Sequence, residues 1–87
     1  MKNAHDFTET LALLTEDFEY TVSELEEDIS DLLRAEYKLT LQEMDSKKYF
    51  LLKSDILDKD IQLFIDEIED KGSLFYLITS IKTSEKK

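Results

Sequence analysis

Apolar residues recur every three or four positions from about Thr21 onward, which is the spacing of an amphipathic helix. They are Val22, Leu25, Ile29, Leu32 and Leu33. Thr21 with Glu24, or Ser23 with Glu26, has the spacing of a capping box, in which side chains and backbone satisfy each other at a helix start. The pattern therefore predicts a helix that begins at Thr21 or Ser23 and ends near Ala35.

Two strands are predicted next. From Tyr37 to Met44 apolar and polar residues alternate, which is typical of a strand with one face in water. From Lys48 to Lys53 the sequence KYFLLK is almost continuously apolar and fits a strand that is paired on both edges. Asp45 and Ser46 lie between the two segments and fit a tight turn.

The last third of the chain predicts a second helix and a final strand. Between Leu57 and Lys71 the apolar residues lie on one helical stripe, and Gly72 stands where a left-handed residue commonly follows a helix. The stripe consists of Ile61, Phe64, Ile65 and Ile68. The segment from Ser73 to Thr83 predicts a long strand that is apolar on both sides. One side carries Phe75, Leu77 and Ile81, and the other carries Leu74, Tyr76 and Ile78.

The segment from Thr10 to Thr15 decides the fold class. Read as an apolar strand, it gives the order βαββαβ, with two helices on one face of an antiparallel sheet of three or four strands. This ferredoxin-like α+β fold is the preferred prediction. The alternative is one long helix over residues 7–35 and the order αββαβ, because the helical stripe also continues backwards through Phe7, Leu11, Leu14 and Phe18.

The composition predicts one domain over residues 1–87, with flexible ends at residues 1–8 and 84–87. The chain has no Pro, one Gly and no repeats that would mark a boundary. It has no Cys, no apolar run of about 20 residues and no signal-peptide segment in MKNAHDF, so we expect a cytoplasmic protein that does not enter a membrane.

No motif predicts catalysis or a cofactor. His5 is the only histidine and lies near the chain start, without a partner that would hold it as a general base. The acidic residues between Asp58 and Glu69 follow the spacing of a calcium loop, but Leu63 occupies the position that requires Gly. Phosphate-binding loops and zinc patterns are absent from the sequence, so we expect neither an enzyme nor a metal or cofactor site.

Charge is the most informative property of the sequence. The net charge is -10 at pH 7, and the segment from Asn3 to Leu33 has ten acidic residues and no Lys or Arg. From Arg34 to Lys87 the charges almost balance, with eleven acidic and ten basic residues. Nucleic acid and anionic membranes would repel such a chain, so neither is expected as a direct ligand.

The predicted helices turn this charge outwards. On the first helix Glu24, Glu27 and Asp31 lie opposite the apolar stripe. Glu16 extends this face if the helix reaches that far, and Asp17 and Asp28 flank it. The five acids between Glu24 and Asp31 give about one charge per 2 Å of helix axis, close to the value of about 1.7 Å for duplex DNA. The second predicted helix adds further acids around Leu63, which is either a scattered exposed apolar residue or a small apolar anchor of the interface. The candidate binding residues are Glu16, Asp17, Glu24, Glu27, Asp28, Asp31, Asp60, Leu63, Asp66, Glu67 and Asp70.

In its charge, its size and its lack of active-site residues, the chain resembles the small acidic proteins with which bacteriophages imitate DNA. That group includes inhibitors of uracil-DNA glycosylase, of CRISPR nucleases and of the histone-like protein HU. The resemblance covers no motif, so it assigns no role to a particular residue. It implies an inhibitor in the host cytoplasm that occupies a basic DNA-binding surface and excludes DNA by competition.

Among possible targets, HU is the first candidate, because a protein that reads backbone charge is the easiest to imitate. RNA polymerase and a CRISPR effector are further candidates. The alternative function is a non-catalytic adaptor that forms a homodimer through the strand from Ser73 to Thr83. In that case the acidic residues would serve only solubility.

Overall fold

In a computed structural model that describes residues 2–86, the chain forms two helices and one antiparallel sheet of five strands. The elements are α1 (Ala4–Thr15), β1 (Glu19–Tyr20), α2 (Val22–Leu33), β2 (Lys38–Met44), β3 (Lys47–Lys53), β4 (Asp60–Asp70) and β5 (Ser73–Ser84). The sheet order is β1-β5-β4-β3-β2, so β2 to β5 form a meander and β1 adds to its last strand. The predicted α+β class with an antiparallel sheet and two helices is confirmed.

One apolar core lies between the two helices and one face of the sheet. The core residues of the helices are Ala4, Phe7, Leu11, Leu25, Ile29 and Leu33. Those of the strands are Tyr20, Phe50, Leu52, Ile61, Leu63, Ile65 and Tyr76. Within β3 and β4 they are alternate residues, which point to the same side of a sheet. In the described part of the chain, no helix covers the other sheet face.

Local signals correctly predicted α2 and the next two strands, β2 and β3. The Thr21 hydroxyl accepts a hydrogen bond from the Glu24 backbone N–H at 3.2 Å, and the Glu24 carboxylate accepts one from the Thr21 N–H at 3.1 Å. This is one of the two capping boxes that the sequence allowed, and the helix begins after Thr21. The helix ends where Arg34 takes a left-handed conformation, with φ 54°. Asp45 and Ser46, with φ 52° and 65°, form the two-residue turn between β2 and β3.

The prediction for Thr10 to Thr15 was wrong, because this segment belongs to helix α1. A continuous helix over residues 7–35 was wrong as well. The Phe18 N–H donates to the Thr15 carbonyl oxygen at 3.2 Å, and Asp17 turns the chain with φ 58°. The chain then pairs with β5 before α2 begins. The element order is therefore neither βαββαβ nor αββαβ, and the sheet has five strands rather than three or four.

The prediction of a helix from Leu57 to Lys71 was also wrong, since most of this segment forms strand β4. The strand pairs with β3 on one side and with β5 along its whole length on the other. Gly72 does take a left-handed conformation, with φ 80°, but it does so with Lys71 in the turn between β4 and β5. The left-handed conformation at Gly72 is therefore required by this turn and not by the end of a helix.

The final strand was correctly predicted, but a bulge changes which of its residues share a face. The pairing between β4 and β5 shifts at Phe64 and Ile65. Ile81 consequently packs against the core together with Tyr76 and Ile78, rather than sharing a face with Phe75 and Leu77.

Both ends of the chain were predicted to be flexible. Lys2 bridges to Leu57, and residues 4–8 lie in α1. Met1 and Lys87, which belong to the ends predicted to be flexible, lie outside the described residues. Flexibility of residues 1–8 and 84–87 stays a prediction.

Candidate functional site

The outward side of α2 carries several carboxylates on one face. Glu24, Glu27 and Asp31 are exposed, Asp28 is half-buried, and the residues of α2 that face the core lie on the opposite side. We call these four residues the acidic row. The structure therefore brings together the α2 residues that the helical spacing predicted to share a face.

No Lys, Arg or His among the described residues forms an ion pair with the acidic row. The ion pairs found among residues 2–86 are His5–Glu9, Lys48–Glu67, Lys53–Asp60 and Lys59–Glu85. None of them includes a carboxylate of α2. The carboxylates of the row are therefore not held in ion pairs, although Lys2 Nζ donates to the Leu32 carbonyl oxygen at the end of the same helix.

The members of the row differ in how far their carboxylates are already used. Glu24 Oε1 accepts hydrogen bonds from the N–H and the hydroxyl of Thr21, each at 3.1 Å, so its charge also holds the helix start. Glu27 and Asp31 have no side-chain hydrogen bond to another described residue. These two are the carboxylates that a partner could engage without disturbing the helix.

Tyr20 links β1 to the inner edge of this row. Its ring is buried, and its hydroxyl donates to the Leu14 carbonyl oxygen at 3.1 Å. Burial and, after it, the carboxylates of Asp28 and Glu24, which make a further negative charge unfavourable, together raise the pKa of Tyr20 to about 12. Tyr20 therefore remains a neutral hydrogen-bond donor beside the row at neutral pH.

Glu16 and Asp17 are not part of the α2 surface. They follow α1 directly, and both line a groove between α1 and β5. They were predicted to extend or flank the helical face, but the helix of that face starts only after Thr21. The break in the chain at residues 16–21 separates the two groups.

The second predicted acidic face does not exist, because β4 distributes its residues over two sides of the sheet. Asp60 is only 4% exposed, and its Oδ2 lies 3.3 Å from Lys53 Nζ. Glu67 pairs with Lys48, and this hydrogen bond raises the pKa of Lys48. Asp66 and Asp70 are exposed at other positions of the strand. Leu63 is fully buried in the core, so the predicted role as an exposed anchor was wrong.

Two groups of apolar side chains at the surface were not identified from the sequence. Leu13 and Phe18, which are 77% and 60% exposed, lie at the end of α1 and just after it. On the uncovered sheet face the rings of Tyr49 and Phe64 stack with centroids 5.1 Å apart. The alternation in IQLFIDEI would have indicated this second surface, had the segment been taken as a strand.

Within residues 2–86 no three His, Asp or Glu side chains are grouped so that they could hold a metal ion. Neither α1 nor α2 is long and apolar enough to cross a membrane. No protein-family model, no curated protein and no solved structure matches this chain.

Proposed function

We propose that the chain is a DNA mimic that binds the basic DNA-binding surface of another protein and excludes DNA by competition. The observation that carries this proposal is the acidic row of α2, in which Glu24, Glu27 and Asp31 are exposed and no carboxylate forms an ion pair with another described residue. A cationic groove that normally holds phosphates would supply the missing counter-charges.

The charge density of α2 supports a target protein that recognises the charge of the DNA backbone. Five acids lie between Glu24 and Asp31, a distance of about 10 Å along the helix axis. The resulting spacing of about 2 Å per charge is close to the value of about 1.7 Å for duplex DNA. HU is the first candidate on this ground, and RNA polymerase and a CRISPR effector are the alternatives.

The position of Asp31 supports a use beyond helix stability. It lies in the last turn of α2, where the helix dipole is negative. That turn contains no basic residue of its own, and the Lys2 Nζ donates to the Leu32 carbonyl oxygen beside it at 3.3 Å. A carboxylate there costs about 0.3 to 1 kcal/mol at low salt. Glu27 lies one turn before it, and such like-charge pairs add a smaller cost. Carboxylates that are retained although they destabilise the helix are consistent with selection for binding.

Competition with DNA provides the test. Purified HU is bound to a fluorescent DNA duplex, and the chain is titrated against it at about 50 mM and about 500 mM salt, since charge-driven binding weakens with salt. We expect displacement of DNA at low salt only. The double variant Glu27→Lys with Asp31→Lys should compete at least about tenfold less well, because buried or facing like charges cost several kcal/mol.

The matched control makes the same change of charge on β4, as Asp66→Lys with Asp70→Lys. It should compete like the unaltered chain. If the control loses competition and the α2 variant keeps it, binding through the acidic row is wrong. A pull-down from bacterial lysate at both salt concentrations, with mass spectrometry, extends the test to RNA polymerase and CRISPR effectors.

A second candidate function is a dimerising adaptor, favoured by the uncovered sheet face. Four apolar side chains on this face are half-buried and do not pack against the core under the helices. They are Phe64, Ile68, Phe75 and Leu77. Sheets of two copies could pack on each other through this face. The test is sedimentation of Phe75→Ser, with Leu74→Ser on the other face as control. Loss of a dimer in Phe75→Ser alone, with normal association of the α2 variant, would favour the adaptor.

A further inference from the structure

The groove between α1 and β5 is a second surface with features of a binding site. It has a volume of about 800 Å³ and lies between Ala12 and Leu13 on one side and residues 77–81 on the other. Leu13 is 77% exposed, the largest exposure of any large apolar side chain in the described residues. An apolar side chain that stands in water beside a groove would gain free energy when a partner covers it.

The edge of β5 beside this groove has no partner strand over most of its length. β1 pairs with β5 only at Tyr76 and Leu77. From Ile78 to Ser84 no strand among residues 2–86 pairs with that edge, while the other edge is paired with β4. Free backbone N–H and C=O groups on an edge strand can accept an added strand.

The protection that edge strands usually carry is weak here. The chain has no Pro, and the one lysine of β5, Lys82, places its Nζ 5.3 Å from the centre of the Phe64 ring. Phe64 belongs to the uncovered sheet face, so Lys82 does not guard the groove. The bulge in the pairing of β4 and β5 bends the strand, but it leaves residues 80–84 in regular pairing with β4.

The negative charge of the groove favours a partner with positive charge. Glu9, Glu16 and Asp17 line it, and no Lys or Arg of the described residues does so. An added strand that carries Lys or Arg would face these carboxylates, whereas an acidic strand would be repelled. A second copy of this chain would bring more negative charge and fits less well.

From these observations we infer that the groove binds an extended cationic segment of a partner protein, which adds as a strand to the free edge of β5. An apolar residue of the segment would cover Leu13, and its basic residues would face Glu16 and Asp17. This inference goes beyond the proposed function, because it uses α1 and β5 rather than the outward side of α2.

The test uses the full chain labelled with nitrogen-15 and the capped peptide Lys-Val-Lys-Ile-Arg-Val. We expect saturable amide shifts in NMR spectra that are concentrated in residues 78–84 and around Leu13. N-methylation of alternate peptide nitrogens should lower the affinity at least about tenfold, because it removes backbone donors. The peptide Glu-Val-Glu-Ile-Glu-Val should not bind, because its charges match those of the groove.

Variants separate this site from the rest of the molecule. Leu13→Ser should lower the affinity for the peptide at least about fivefold, since it removes the apolar contact without touching the core. Leu41→Ser is the matched control, because Leu41 is 47% exposed on β2 at the opposite edge of the sheet. Glu27→Lys with Asp31→Lys should leave peptide binding within about twofold, because screening limits the reach of exposed charges.

Three outcomes would overturn the inference. The first is a peptide that does not saturate at millimolar concentration or that shifts β2 instead of β5. The second is binding that survives N-methylation and Leu13→Ser unchanged. The third is a concentration-dependent dimer whose shifts map to the groove, which would make a second copy the occupant. DNA competition by the α2 variants is read independently of all three.

Discussion

α2 and β4 carry the same number of acidic residues but present them in different ways. Each element contains five Asp or Glu residues. In α2 the spacing of three and four residues collects Glu24, Glu27 and Asp31 on one side. In β4 the residues alternate between two faces, so the neighbours Asp66 and Glu67 point to opposite sides of the sheet.

The neighbours of the two elements add to this difference. β4 lies inside the sheet, where the adjacent β3 supplies Lys53 to Asp60 and Lys48 to Glu67. The outward side of α2 faces solvent and has no lysine or arginine in ion-pair contact among the described residues. Acidic content alone therefore does not identify a binding surface; the element and its neighbours decide whether the charges act together.

The largest expected effect tests whether the middle of β4 faces the core. Leu63→Ala should lower the free energy of unfolding by about 3 kcal/mol, because the fully buried side chain leaves a cavity. The measurement is urea unfolding followed by circular dichroism. Leu13→Ala is the control and should change stability by less than about 0.5 kcal/mol, since Leu13 is exposed. Equal losses of stability in the two variants would contradict a β4 strand that buries Leu63 in the core.

A second prediction concerns Tyr20, which stands where β1 meets the acidic row. Its pKa is about 12 in the folded chain and 10.0 ordinarily, so the folded chain holds the proton more tightly. The resulting stability is present below pH 10 and is lost as the pH rises towards 12. The loss should amount to about 2 to 3 kcal/mol.

Urea unfolding at several pH values between neutral and 12 measures this loss. Tyr20→Phe is the control, because it removes only the phenolic hydroxyl and leaves the lysines that titrate in the same pH range. We expect the slope of stability against pH to be smaller in Tyr20→Phe. An unchanged slope would mean that the phenol is not the group responsible.

Removal of one charge from β4 should destabilise the chain. Asp60→Asn should cost about 1 to 2 kcal/mol, because the buried carboxylate loses its charge-assisted contact with Lys53. The exposed Asp66 in the same strand provides the matched control, and Asp66→Asn should change stability by less than about 0.5 kcal/mol. Thermal unfolding of the three proteins side by side distinguishes these cases.

The smallest effect has the opposite sign. Asp31→Asn should stabilise the free chain by about 0.3 to 1 kcal/mol at low salt, because it relieves repulsion at the negative end of α2. Glu24→Gln should not stabilise it, since Glu24 lies in the first turn and caps the helix. If Asp31→Asn destabilises the chain, the carboxylate has a structural role and the comparison between α2 and β4 fails.

Prediction from sequence succeeded where a few neighbouring residues determine the structure. The capping box of Thr21 and Glu24 joins residues three positions apart, and the turn at Asp45 and Ser46 joins two adjacent strands. The exposed side of α2 follows from the spacing of its apolar residues. The groove beside Leu13 could not be predicted, because β5 comes from the other end of the chain.

The sequence by itself determined α2, β2, β3, β5 and the concentration of negative charge before Arg34. Only the tertiary structure decided the state of residues 60–70, since Ile61, Ile65 and Ile68 fit a helix while Ile61, Leu63 and Ile65 fit a strand. Hydrogen bonds to β3 and β5 resolve this ambiguity, and no local pattern contains them. The same holds for α1, whose end at Thr15 depends on the pairing of β1 with β5. Pairing between distant segments chooses between two periodicities that a short apolar run satisfies equally well.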